Sequence, residues 1–378
     1  MKFVLFYHSL VSDWNHGNAH FLRGIVAELQ ARGHIVDVYE PHDAWSATQL
    51  VAEHGQAAID EWQTQHPHLR SHRYDRSTLD LERALDDADV AIVHEWNEPS
   101  LVGAVAAHAP RGCRVFFHDT HHRSVSAPRE MERYDLRGYD GVLAFGEAIR
   151  QRYLQRDWCA HAWTWHEAAD VRTFRPMPFH AERADLVWIG NWGDDERAAE
   201  LHEFLIDPVL ALHLQAVVHG VRYPADALAK LSAAGIDYRG WLANHLVPET
   251  FARFQVTVHV PRRPYVGLLP GIPTIRVFEA LACCIPLVCA PWDDAEGLFT
   301  PGCDYLVARD GAQMKRHLQT LLRDAEQARE LAAHGLATIL ARHTCGHRVD
   351  QLLSILSTLD ATPSQRGSSQ PSRSLIHA

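Results

Sequence analysis

Apolar residues arrive along this chain in two rhythms. Short, nearly unbroken runs such as KFVLFY (residues 2–7), DVAIVHEW (89–96), CRVFFH (113–118), ADLVWIG (184–190), LQAVVHG (214–220) and VTVHVP (256–261) are rich in β-branched and aromatic residues. They are too short for helices and too continuous for a strand with one wet face, so they predict strands covered on both sides. Between them lie helical spacings. In FLRGIVAELQARG, residues Phe21, Leu22, Ile25, Val26 and Leu29 fall on one face and Gly33 ends the segment, after which HIVDVYEP reads as the next strand. Strands alternating with helices over most of a chain predict an α/β protein with parallel sheets, whose ligands sit at the carboxyl ends of the strands.

The stretch from Pro261 to Trp292, PRRPYVGLLPGIPTIRVFEALACCIPLVCAPW, predicts a loop, a helix and a buried strand. The helix is expected to start near Pro273 and Thr274, with proline pre-setting a first-turn φ and threonine capping a free donor. Ile275, Phe278, Leu281 and Ala282 then share one side, and Arg276 and Glu279 the other. Free N–H groups at a helix start, a flexible Gly271 and a guanidinium one turn in suit an anion such as a diphosphate, with Glu279 placed to accept from sugar hydroxyls. The same pattern is also that of a surface helix carrying a solvated Arg/Glu pair.

Composition narrows the choices. A chain of 378 residues, 47% hydrophobic and 22% charged, is comfortable for two domains of an ordinary globular protein. Its net charge of −11 argues against nucleic acid as the main partner. No apolar run reaches membrane-spanning length, leaving peripheral membrane contact as the only membrane role expected. Seven cysteines without a C-x-x-C spacing, three of them inside the apolar helix and strand near residue 285, read as buried thiols in a reducing, cytoplasmic setting. Lysine occurs only at positions 2, 230 and 315, so any phosphate clamp must be built from arginine and backbone.

Polar groups collect where the strands end. The first strand runs into HSLVSDWNHGNAH, whose Gly17 serves either to let backbone approach a ligand or simply to turn the chain. One later strand ends at His94-Glu95-Trp96 and another at His118-Asp119-Thr120-His121-His122. Three readings stand for these ends: a metal site of unfamiliar spacing, side chains satisfying loop backbone, or catalytic groups facing a substrate hydroxyl. In GNWG, Gly190 and Gly193 flank Asn191 and suit either backbone contact to an anion or a plain strand-to-helix turn. Trp241 fits a stacked base or a buried core position.

RVFEALACCIPLV resembles the donor-site helix and following strand of the GT-B glycosyltransferases, and Pro-Gly-x-Pro-Thr-x-Arg at residues 270–276 is most similar to the CgeB-like, spore-maturation-type branch. The resemblance implies two Rossmann-like domains facing a cleft. It also implies a nucleotide-sugar donor, an acceptor hydroxyl on a sugar, lipid or protein, and neither metal nor other cofactor. Glu279 stands where the family places a ribose-binding glutamate, and His118 where it places a histidine beside the transferred sugar; Asp119 is the general base if the enzyme inverts. Gly271 occupies the place of a second glutamate found in many retaining members, and the family's phosphate arginine and lysine are missing. The cation must then come from Arg197, Arg262, Arg263 or Arg276. The segment YRGWL, with Trp241, corresponds to a piece lying against the base, and Gly17, His94 and Glu95 fall on the acceptor and phosphate side.

The expected organisation is an acceptor-side domain at 1–172, a nucleotide-sugar domain at 173–345, a helix at 346–360 packing back on the first domain, and a polar, disordered tail at 361–378. Two other functions fit the same features: a nucleotide-sugar epimerase, which needs no acceptor, and a binding protein that has lost activity.

Overall fold

The computed structural model describes residues 1–178 and 182–360; the expected tail at 361–378 lies outside them. Seven strands form the first sheet: β1 (Lys2–Phe6), β2 (Ile35–Pro41), β3 (Ser71–Tyr74), β4 (Val90–His94), β5 (Arg114–Asp119), β6 (Gly141–Ala144) and β7 (Ala162–Thr164). Their order is β3-β2-β1-β4-β5-β6-β7, and each neighbouring pair is parallel. Six more form the second: β8 (Ala184–Ile189), β9 (Ala216–His219), β10 (Asp237–Tyr238), β11 (Phe254–His259), β12 (Leu287–Cys289) and β13 (Leu306–Val307), in the order β10-β9-β8-β11-β12-β13 and again parallel. Both sheets reverse direction of winding beside their first strand, which opens a crevice at the carboxyl ends where ligands of such folds bind.

The apolar runs became strands because helices cover both of their faces. Phe3, Leu5, Val90, Ile92 and Phe116 face one layer while Val4, Phe6, Ala91, Val93 and Phe117 face the other, each no more than 1% exposed. The edge strand β3 has no such signature, being SHRY with its middle residues exposed, and sequence periodicity did not find it.

The two sheets share one core. Phe21, Trp165 and Phe174 from the first half pack in the same cluster as Ile275, Phe278 and Leu281 from the second. The final helix, Cys345–Asp360, closes this seam against the first helix, Ala19–Ala31. A Cβ on Gly24 would stand 2.5 Å from Cys345 Sγ, so glycine is what allows the two helices to approach. Trp165 Nε1 donates to the Arg348 carbonyl at 2.8 Å, and the buried Arg348 guanidinium donates back to the His166 carbonyl at 2.8 Å. No helix among the described residues is long and apolar enough to cross a membrane.

Candidate active site

The crevice between the sheets is a cavity of about 810 Å³. From the first half it is lined by the β1 exit loop (Asp13, Asn15, His16, Gly17), by Trp96 and Glu98 after β4, and by Thr120, His121 and His122 after β5. From the second half come Gly190 and Asn191 after β8, Gly220 and Arg222 after β9, Arg262 after β11, and the helix start at Thr274–Arg276.

Four guanidiniums reach its second-half wall, those of Arg197, Arg222, Arg262 and Arg276, and Arg222 pairs with Asp194 at 3.6 Å. Arg262 pairs with Glu196 at 2.6 Å and Arg276 pairs with Glu279. Arg197 has no carboxylate within ion-pair distance among the described residues. It donates to the carbonyls of Val260 (2.9 Å) and Asn191 (2.5 Å), lies over the Trp188 ring at 5.2 Å, and leaves its Nε sealed without a partner. Burial, followed by the like charges of Arg262 and Arg276, pulls its pKa down to about 9. Like charges held together in a partly desolvated site are an arrangement that an anion relieves. Arg263, by contrast, points out of the cleft and pairs with Glu200 at 2.6 Å.

Behind the arginines is a backbone cradle. Gly190 N donates to the His219 carbonyl at 2.8 Å, and Asn191 bonds both Asn15 across the cleft and the Val221 amide. A Cβ on Gly220 would meet the Gly190 carbonyl at 2.0 Å, and backbone gives way less easily than a side chain. Gly220→Ala is therefore expected to destabilise the protein by about 2–3 kcal/mol and to disorder this wall; a urea titration matching wild type would contradict that.

Several expected residues stand elsewhere than the sequence suggested. Glu279 is 0% exposed and does not line the cleft. One oxygen meets His20 Nδ1 of the first half at 2.8 Å and the other takes Arg276, so the carboxylate ties the two halves together and holds the arginine. The helix carrying it, Ile275–Ala282, is buried on nearly every side and is no solvated surface helix. Thr274 is its N-cap by backbone only; its hydroxyl shares a hydrogen bond with His259 Nε2 at 2.9 Å, and Pro273 precedes the cap instead of opening the first turn. Gly271 turns the chain at φ +83°, but its neighbour is Glu296 and it lies outside the cleft lining. Gly17 does line the cleft, yet it has no positive φ, and an added Cβ would make only an ordinary 3.4 Å contact with Ile275.

His118 and Asp119 are also beneath the surface. His118 is 1% exposed, its ring 4.8 Å from Trp165 and 5.5 Å from His94, and burial lowers its pKa to about 3. Asp119, 0% exposed, accepts from the Tyr153 hydroxyl (2.8 Å) and from the His121 amide (3.0 Å), which makes it a positioning residue for the turn above it. His94 and Glu95 are fully buried: His94 bonds Thr120 Oγ1 at 3.0 Å, and Glu95 pairs with Arg123, with burial raising its pKa to about 8. The groups past these strand ends that do open on the cleft are Trp96 and Glu98 after β4 and Thr120, His121 and His122 after β5. His121 is held neutral, its pKa well below the usual imidazole value through burial and then the charges of His122, Arg123 and Arg262. Trp241 lines the cleft while its Nε1 donates to Asp13 across it at 2.9 Å.

Sequence reasoning passed over His16, Trp45 and Trp96. The two tryptophans, 44% and 43% exposed, stand on the first-half rim. Their signal was weak, since nothing local tells a rim tryptophan from a core one. Among the described residues no group of three or more His, Cys, Asp or Glu side chains is arranged to hold a metal ion.

Residues 197–354 match the family model described as glycosyl transferase-like. No curated protein matches. Among solved structures, the chain is similar to HepE of Anabaena in complex with UDP and glucose (TM-score 0.67, 14% identity, 95% of this chain and 100% of that one). It is also similar to an alpha-glucosyltransferase in complex with UDP (TM-score 0.69, 12% identity, 94% and 99%) and to sucrose-phosphate synthase of Thermosynechococcus elongatus (TM-score 0.65, 13% identity, 96% and 100%). The chain thus has the two-domain GT-B fold, its second half resembling the glycosyl transferase-like family.

Proposed function

We propose that the protein is a glycosyltransferase that moves a sugar from a nucleoside-diphosphate donor to an acceptor hydroxyl. The observation that carries this reading is the convergence of Arg197, Arg262 and Arg276 on one wall of the cleft in a chain of net charge −11. Residues 173–345 would hold the donor, with the diphosphate against Arg197 and the start of the helix at Ile275, and residues 1–172 would present the acceptor. Charge that develops on the departing diphosphate is stabilised by guanidiniums already in place. Structures of similar fold contain UDP, which makes UDP-sugars the first donors to test. Within the fold, Pro270-Gly271-Ile272-Pro273-Thr274-Ile275-Arg276 favours the CgeB-like branch.

The proton of the acceptor hydroxyl needs a neutral base on the cleft surface, and His121 supplies one; His118 and Asp119 act beneath it. Replacing His121 by Asn is expected to lower transfer about 100-fold with little change in UDP affinity. Because the His121 pKa is depressed, the imidazole stays unprotonated as pH falls through the usual histidine range. Activity should accordingly persist on the acid side of pH 6.5, and a rate that halves near that pH would point to a different base. A screen of nucleoside diphosphates by thermal shift tests the donor: a ligand at 100 times its Kd adds about 2.7 kcal/mol. If none stabilises the protein, the proposal fails.

A further inference from the structure

We propose that the acceptor is a glycoside with an uncharged apolar group, the sugar lying on Trp96 and the apolar group entering a side pocket behind it; this rests on the transferase reading above. The pocket is a cavity of about 230 Å³ that shares Arg76, Trp96 and Glu98 with the cleft, so the two spaces adjoin across these side chains. Large aromatic side chains seldom stay open to solvent without a partner to cover them. One side of Trp96 is taken by the Arg123 guanidinium, 4.4 Å from the ring centroid, and His121 meets it edge-on at 5.1 Å. The residue is still 43% exposed and lines both cavities. A pyranose ring stacked there would set its hydroxyls beside His121, the proposed base.

The chemistry of the pocket decides what lies beyond the sugar. Tyr74, Leu79, Leu81, Leu101 and Ala104 supply apolar walls. The charged groups at its mouth are already satisfied: Arg76 pairs with Glu98 and, at 3.2 Å, with Asp43. The Asn97 amide donates to the carbonyls of Phe6 (2.7 Å) and His94 (2.9 Å). A phosphorylated or carboxylated tail would find no free cation there, whereas an alkyl or aryl group of about one ring in size would bury its surface without breaking a bond.

The test uses the full-length protein and calorimetric titration with phenyl and methyl glycosides of glucose, galactose, mannose and N-acetylglucosamine, with UDP present. At least one phenyl glycoside should bind about 10- to 100-fold more tightly than its methyl counterpart, as burial of one ring predicts. Ala104→Trp, which fills the pocket, should erase that preference, and Trp96→Ala should weaken the phenyl and methyl forms of that sugar alike. No phenyl preference in wild type, or a preference that survives Ala104→Trp, overturns the inference. UDP titration of the same samples reports on the donor site separately, so failure of the acceptor proposal is distinguishable from failure of the transferase reading.

Discussion

Replacing Arg197 by Gln should weaken UDP binding by about 100-fold, the worth of one or two charge-assisted hydrogen bonds to phosphate, without lowering the melting temperature of the free protein. The two halves of this expectation have one cause. Arg197 carries no ion pair, and its pKa is held down to about 9 by burial and by Arg262 and Arg276. A base with a lowered folded-state pKa is one whose charge opposes folding, so at neutral pH its removal relieves a cost instead of adding one. What opposes folding in the free protein favours an anion in the complex. Calorimetry with UDP and a thermal melt of the free variant measure the two effects independently. Normal UDP affinity in Arg197→Gln would remove the central support for the donor site. A large drop in melting temperature would show instead that its bonds to the Val260 and Asn191 carbonyls are structural.

The second large effect is expected at Glu279. On an exposed helix face, losing a glutamate with an arginine three residues away costs about 0.5 kcal/mol. Here the carboxylate is 0% exposed and joins His20, itself 3% exposed, to Arg276. Removing it strands the buried His20 ring at the seam between the sheets and leaves Arg276, 27% exposed on the cleft wall, without its ion pair, so Glu279→Ala should destabilise the protein by about 2–3 kcal/mol, measurable by urea unfolding. His20→Ala should cost less, because Arg276 keeps its partner. A double-mutant cycle between the two should give a coupling of about 1–3 kcal/mol. If Glu279→Ala were as stable as wild type yet failed to bind UDP, the carboxylate would be a ribose ligand after all, and the seam seen here would have to open for the donor.

The site was harder to read than the fold because it depends on where each strand ends. Residues inside a covered strand alternate between its two faces, and in both sheets each face meets a helix layer. His94, His118 and Asp119 belong to β4 and β5 themselves and so point under the helices, while Thr120, His121 and His122, just past the strand end, turn into the cleft. Locating polar residues near a strand end was possible from sequence; the one- or two-residue difference between inside and past the end was not. The helix at Ile275–Ala282 starts on the cleft as expected, but the surroundings of its Glu279 differ for another reason. Its Arg276 and Glu279 look like an outward pair by local spacing, but the first half of the chain lays His20 on that face.

The sequence by itself determined two parallel sheets and the edge on which ligands collect, because unbroken apolar runs separated by helical spacings leave a chain few other ways to bury them. It also limited the phosphate clamp to arginine, having only three lysines, all placed elsewhere. Which arginine is left unpaired, which histidine reaches the cleft, and that Glu279 is a fastening between the halves were decided only by tertiary structure. Each depends on contacts distant in the sequence, His20 lying 259 positions from Glu279 and Val260 63 from Arg197, and pairing and burial of that kind leave no trace in local spacing.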